Sequence, residues 1–131
     1  MPGKILSRKT AIRVLLACVA LCVGALGLLR LDMQSDLNRW CRTAQASHPH
    51  PGDHVAALLD YVQSDAHSLR ERNHVVWALG QARDPRALPV LESYVAGAPC
   101  DHACCLCQRE LSKAVALCKS ETPNLLGIKT P

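Results

Sequence analysis

The chain has 131 residues, a net charge of +4, eight Cys, four aromatic side chains and no Phe. Its positive charge lies at the start: Lys4, Arg8, Lys9, Arg13 and Arg30 precede residue 32 without an acid, whereas 10 Lys/Arg stand against 11 Asp/Glu from Asp32 onward. The larger part thus lacks the basic face that phosphate neutralisation requires, which argues against nucleic acid as a partner.

With so few aromatics, a core must be built from Leu, Val and Ala. That supply suits close-packed helices better than a β-sandwich. A domain of about a hundred residues is only marginally stable, so cysteine staples would help it.

Residues 1–10 read as a basic cytoplasmic segment. From Val14 to Leu29 run sixteen residues without a charge. Extended to Ala11–Leu31, the stretch reaches the roughly 17–25 apolar residues that a membrane span needs. Arg13 and Arg30 lie near its ends, where long side chains can snorkel to the headgroups. Four basic residues precede the run, while Arg30, Asp32, Asp36 and Arg39 behind it cancel. The positive-inside bias puts the N-terminus in the cytoplasm and the rest of the chain across the membrane. Val23-Gly24-Ala25 also has the small-residue pattern of a signal-peptide cleavage site. Cleavage there would leave Leu26-Gly27-Leu28-Leu29 exposed, so an uncleaved signal-anchor over 11–31 is the expectation. A lipoprotein reading of Leu15-Leu16-Ala17-Cys18 fails on Arg13, which interrupts the required apolar stretch. Cys18 and Cys22, one turn apart in the span, read as small apolar residues.

Four or five helices are expected over 32–121. Ser35 can cap a first helix whose Leu37, Trp40, Cys41 and Ala44 form one stripe. Ser47-His48-Pro49-His50-Pro51-Gly52 ends it, and the His-rich segment reads as a solvated loop. Asp53 caps a second helix with Val55, Leu58, Leu59 and Val62 on one face. A third runs from about Leu69 to Leu79, with Val75, Val76 and Leu79 inward and Gly80 as its left-handed terminator.

Asp84-Pro85 opens a fourth helix, because Asp accepts from first-turn N–H groups and Pro presets φ at the first helical position. Its stripe is Leu88, Leu91 and Val95, with a slight bend expected at Pro89. After Gly97-Ala98-Pro99, Asp101 is expected to cap a fifth helix with Cys104, Cys107, Leu111, Val115 and Cys118 on one face. Residues 122–131 have no periodicity and read as a flexible tail.

The helices repeat. Val55, Leu58 and Val62 recur 33 residues later at Leu88, Leu91 and Val95, and first-of-pair helices start near 36, 69 and 102. Such a period marks stacked helical hairpins sharing one core. The segment Arg72-Asn73-His74-Val75-Val76-Trp77-Ala78-Leu79-Gly80-Gln81-Ala82-Arg83-Asp84-Pro85-Arg86-Ala87-Leu88-Pro89-Val90-Leu91 resembles one HEAT-like repeat, of the kind also found in phycobilin lyases. The Ala-Leu-Gly end of one helix, the Asp-Pro start of the next and Leu-Pro-Val-Leu within it carry the resemblance. It covers about twenty residues; the ankyrin and tetratricopeptide signatures are missing. It implies an all-α superhelical stack over 32–121. Such arrays mostly bind other proteins through a curved face, and a few members act on bilins. Fold alone does not choose between these.

The sharpest chemistry lies in Cys100-Asp101-His102-Ala103-Cys104-Cys105-Leu106-Cys107. Six cysteines lie beyond the span, and an even number in an oxidising compartment points first to disulfides among Cys100, Cys104, Cys105 and Cys107. On a continuous helix Cys118 lies eleven residues, or roughly 16 Å, past Cys107. That exceeds the about 7 Å that disulfide Cα atoms tolerate. Cys41 is its one other partner, but stacked hairpins would place the 69–80 helix between them, so both are expected to be buried and unbonded.

Cys100, His102, Cys104, Cys105 and Cys107 are also candidate zinc or copper ligands, although the two Cys-x2-Cys pairs of a zinc finger are absent. Cys104-x-x-Cys107 at a helix start would have a lowered thiol pKa, as in redox motifs. No Ser/His/Asp order, phosphate loop or paired carboxylate motif is visible. The expected function is a membrane-anchored, non-enzymatic interaction module for another cell-envelope protein, with a metal or thiol-redox protein as the alternative.

Overall fold

The computed structural model describes residues 8–97, 99–101, 103–119, 124 and 127–131. The chain is all-helical, with no strand among the described residues. Five helices follow one another: α1 (Arg8–Ser47), α2 (His54–Gln63), α3 (Leu69–Ala82), α4 (Leu88–Ser93) and α5 (Gln108–Cys118).

α1 is one uninterrupted helix of 40 residues, about 60 Å long at 1.5 Å per residue. The expected break at Ser35 is therefore corrected: Ser35 is an exposed mid-helix residue and caps nothing. Nothing between Leu31 and Ser35 interrupts the ladder, since Asp32-Met33-Gln34 contains neither Pro nor Gly. The stripe beyond it is as expected, with Leu37, Cys41 and Ala44 buried and Trp40 half-buried. α1 stops before His48-Pro49, where the proline ring disfavours helical backbone in the preceding residue.

Gln45 fastens the turn that follows. Its side-chain amide donates to His50 O at 2.6 Å and Asp53 O at 3.1 Å, and it accepts the His50 N–H at 2.8 Å. Asp53 then caps α2, accepting from Ala56 N at 3.0 Å. Ser68 and Glu71 form a reciprocal capping box at the start of α3.

Gly80 does not end α3. The helix continues to Ala82, and Arg83 takes the left-handed position at φ 55°. Gly80 instead lies against α5, where a Cβ would come within 2.8 Å of Ala114 Cα. Asp84 caps a 3-10 turn over Pro85–Ala87 that leads into α4. The bend expected at Pro89 is placed earlier, as a change of helix type between Ala87 and Leu88. Leu91 is buried and Leu88 half-buried, but Val95 lies beyond α4 and is 43% exposed.

α5 begins at Gln108, not after Asp101, a second corrected boundary. The Asp101 carboxylate accepts from Ala103 N at 2.9 Å, and its carbonyl accepts the Cys105 N–H at 3.3 Å. That local turn competes with helix. Leu111, Ala114 and Cys118 are buried on α5, and Val115 is half-buried.

The largest fully buried side chains include one Leu from each helix: Leu37, Leu58, Leu79, Leu91 and Leu111. Each stabilises the fold by roughly 2 kcal/mol through lost apolar surface. α3 packs against α1, α2 and α5, and α4 packs against α5. Arg72 is buried beside this core, donating to Val62 O at 2.7 Å and to Asp65 Oδ1 at 3.0 Å, with its guanidinium over the Tyr94 ring.

The end of the chain is not loose where it is described. Ile128 is 4% exposed and belongs to the core. The Gln34 side chain pairs with the Lys129 backbone, donating to its O at 2.6 Å and accepting its N–H at 3.1 Å. The flexible tail expected over 122–131 is thereby corrected for 124 and 127–131; residues 120–123, 125 and 126 lie outside the described part.

Candidate functional site: the cysteine-rich turn

The segment from Cys100 to Cys107 sits between α4 and α5, at the N-terminal end of α5. Cys100 and Cys104 are exposed, Cys105 is half-buried, and Cys107 is buried. Cys107 is the residue immediately before α5, and its backbone N–H donates to Asn73 Oδ1 of α3 at 2.8 Å. His102, the remaining metal candidate, lies outside the described residues.

The sulfurs meet two by two. Cys100 Sγ lies 3.7 Å from Cys107 Sγ, and Cys104 Sγ lies 3.5 Å from Cys105 Sγ. These are contacts and not bonds, since a disulfide is about 2.05 Å long. No two of the eight cysteines stand at bonding distance, so the expected disulfide staples have no support in this arrangement. The Cys104–Cys107 redox pairing is replaced by Cys100–Cys107, because α5 starts at residue 108 and Cys104 stands in the preceding turn.

The two pairs differ electrostatically. The Arg109 backbone N–H donates to Cys100 Sγ at 3.4 Å, and this bond is the main reason the Cys100 thiol is held below its ordinary pKa. The Cys107 thiol, the Gln108 N–H and the Arg109 charge act the same way. The start of α5 also presents positive dipole to this sulfur. Cys104 is pushed the other way, up to about 11, by its contacts with the Cys105 thiol and then the Asp101 carboxylate, 3.3 Å away. A negative neighbour disfavours a second negative charge.

Among the described residues, no three His, Cys, Asp or Glu side chains converge to hold a metal ion. Zinc or copper ligation by Cys100, Cys104, Cys105 and Cys107 together therefore has no support in their arrangement. Arg70, Asn73 and His74 of α3 face Cys107 and Glu110 across an open cleft beside the turn.

Cys41 and Cys118 are both buried and free, and burial raises each thiol to about 11. Cys118 Sγ donates to Leu79 O at 3.5 Å, which satisfies it within the core. The His-rich turn is more constrained than a solvated loop. His48 Nε2 lies 3.1 Å from His67 Nε2, His67 stacks on Tyr61, and His50 pairs with Asp60 at 2.6 Å. No sequence signal joins these groups, because His67 lies 19 residues from His48 and on no shared helix.

The first part of α1 is the other unusual surface. Residues 8–32 are exposed on every side, including Leu15, Leu16, Leu21 and Leu28. The helix is long and apolar enough to cross a membrane. Compared with family models, curated proteins and solved structures, the chain matches none.

Proposed function

We propose that this protein is a membrane-anchored, non-enzymatic interaction module of HEAT-like design, recognising another protein of the cell envelope. Residues 11–31 form the anchor, the N-terminus is cytoplasmic, and the domain lies outside the cytoplasm. One observation carries the reading: the same helix is uncharged and exposed on all sides from Val14 to Leu29, and beyond that stretch it buries Leu37, Cys41 and Ala44 in the domain core. A helix that is hydrophobic all round and has no protein around it needs lipid.

The HEAT-like element of the proposal is supported by how the helices group. α1, α3 and α5 serve as first-of-pair helices, with α3 packed against both of the others. Arg86 at the start of the fourth-helix segment reaches Asp53 at the start of α2, 33 residues earlier, at 2.7 Å. That contact repeats the sequence period in space.

The full chain expressed in cells tests the topology. Alkaline carbonate should leave it in the membrane pellet, and a membrane-impermeant maleimide should label exposed Cys104 on intact cells. A cysteine replacing Ser7 should react only after permeabilisation. Release into the soluble fraction, the reverse labelling pattern, or a mature N-terminus at Leu26 would each overturn the reading.

A further inference from the structure

We propose that Cys100 and Cys107 form a reversible thiol–disulfide pair, with Cys100 attacking an external disulfide and Cys107 resolving the product. The pair goes beyond the interaction-module reading and does not depend on membrane topology.

The geometry separates this pair from the other thiols. Cys100 is exposed, so an external disulfide can reach it, while Cys107 is buried behind it at 3.7 Å. Closing that gap to a bond of about 2.05 Å asks the sulfurs to approach by roughly 1.6 Å. Residues 99–101 have no regular structure to resist the movement, and Cys107 is fixed by Asn73. The Arg109 N–H and the start of α5 stabilise a thiolate on Cys100 and not on Cys104, whose sulfur faces the Asp101 carboxylate.

Cys104 and Cys105 are poorer bonding partners. Adjacent Cα atoms are about 3.8 Å apart, shorter than the roughly 4.4–6.8 Å that disulfides prefer. Cys41 and Cys118 are sealed in the core. Cys18 and Cys22 lie in the apolar part of α1.

The chemistry balances as two exchanges. The Cys100 thiolate attacks one sulfur of an external disulfide RS–SR; that S–S bond breaks, a Cys100–SR mixed disulfide forms, and RS⁻ leaves to take a proton from water. Cys107 then loses its thiol proton and attacks the Cys100 sulfur, expelling the second RS⁻, which is also protonated. In sum, two protein thiols are oxidised to one disulfide and one external disulfide is reduced to two thiols. Oxidation would tie the segment before α5 to the edge of the cleft formed by Arg70, Asn73, His74 and Glu110.

The full chain, reduced in detergent and equilibrated with mixtures of reduced and oxidised glutathione, tests the pair. After trapping with iodoacetamide, trypsin together with cleavage before Asp101 separates residues 87–100 from 101–109. The expected product is these two peptides joined through Cys107, with Cys104 and Cys105 alkylated. Cys107→Ser should retain glutathione on Cys100, whereas Cys100→Ser should leave Cys107 reduced. In the reduced protein at pH 7, Cys100 should alkylate at least about tenfold faster than Cys104. A first disulfide joining any other cysteines, glutathione on Cys107 in Cys100→Ser, or equal alkylation rates would overturn the proposal.

Discussion

Gly80 and Ala114 meet backbone to backbone where α3 crosses α5: a Cβ on residue 80 would stand 2.8 Å from Ala114 Cα and 3.0 Å from its Cβ. The missing side chain is what lets the two helices approach, since Gly80 is helical and its φ is not positive. Gly80→Ala would gain about 1 kcal/mol of helix propensity on a free surface. Here the added methyl meets main chain that cannot rotate away. The expected net result is a loss of about 1–3 kcal/mol, larger for Val. Chemical unfolding of Gly80→Ala, Ala114→Gly and the double variant checks this: Ala114→Gly, which removes the 3.0 Å Cβ contact, should cost less in the Gly80→Ala background than in the native protein. A stabilised Gly80→Ala would mean that the helices are not in contact there.

Gly80 also shows where local sequence reading stops. Glycine after an apolar run serves equally as a left-handed cap or as a notch for a crossing helix, and only the approach of α5 at Ala114 separates them. Starts set by local chemistry, at Asp53 and at Asp84-Pro85, were legible because cap and helix are neighbours in sequence. Ser35 and Asp101 misled for a shared reason. Either side chain can cap a helix, but Ser35 lies where the preceding chain is already helical, and Asp101 closes a turn of its own. The sulfur pairing was hidden likewise, because shifting the start of α5 to residue 108 exchanges Cys104 for Cys100 as the neighbour of Cys107.

Arg86 bridges Asp53 at 2.7 Å and Asp84 at 2.8 Å, joining the starts of two helical segments. Its guanidinium is the first cause holding both carboxyls below their ordinary range, Asp53 at about 2. A depressed carboxyl pKa contributes stability that is present above the unfolded value of about 3.9 and is lost as pH falls through the folded value. The advantage of the native protein over Arg86→Met should therefore be constant above about pH 5 and shrink between about pH 4 and 2. All three groups meet solvent, so added salt should also reduce it. Urea midpoints of both proteins across that range measure it. A difference independent of pH would show that Arg86 acts through packing alone.

Ile128 closes the core beside α1, and Gln34 holds the adjoining backbone. Ile128→Ala should cost about 2 kcal/mol, toward the low end for buried aliphatic truncation because the site lies at the edge of the domain. Gln34→Ala removes the two exposed hydrogen bonds to the Lys129 backbone and a part-buried one to Asn38 Oδ1, and should cost about 1 kcal/mol. Both should speed tryptic cleavage after Lys119 and Lys129 at temperatures where Leu37 and Leu58 remain packed. Thermal midpoints with timed proteolysis separate the two effects. A tail that is cut equally fast in the native protein would mean that it does not dock.

Ser35 decides whether the anchor and the domain share one helix. As a cap, its hydroxyl would satisfy a first-turn N–H, and Ser35→Ala would cost about 1 kcal/mol. Inside a helix, the same change replaces a weak helix former by the best one and should add about 0.5 kcal/mol. The exposed position of Ser35 leaves no packing to confuse the comparison. Ser35→Pro has the opposite use. It removes an N–H from the ladder and sets the ring against the Leu31 carbonyl, at a cost of about 3 kcal/mol or more. If α1 is continuous, Ser35→Ala should raise the unfolding midpoint of the full chain in detergent, and Ser35→Pro should lower it sharply. A lowered midpoint for Ser35→Ala with a mild effect of Ser35→Pro would restore the break, because proline is tolerated in the first turn of a helix and nowhere deeper.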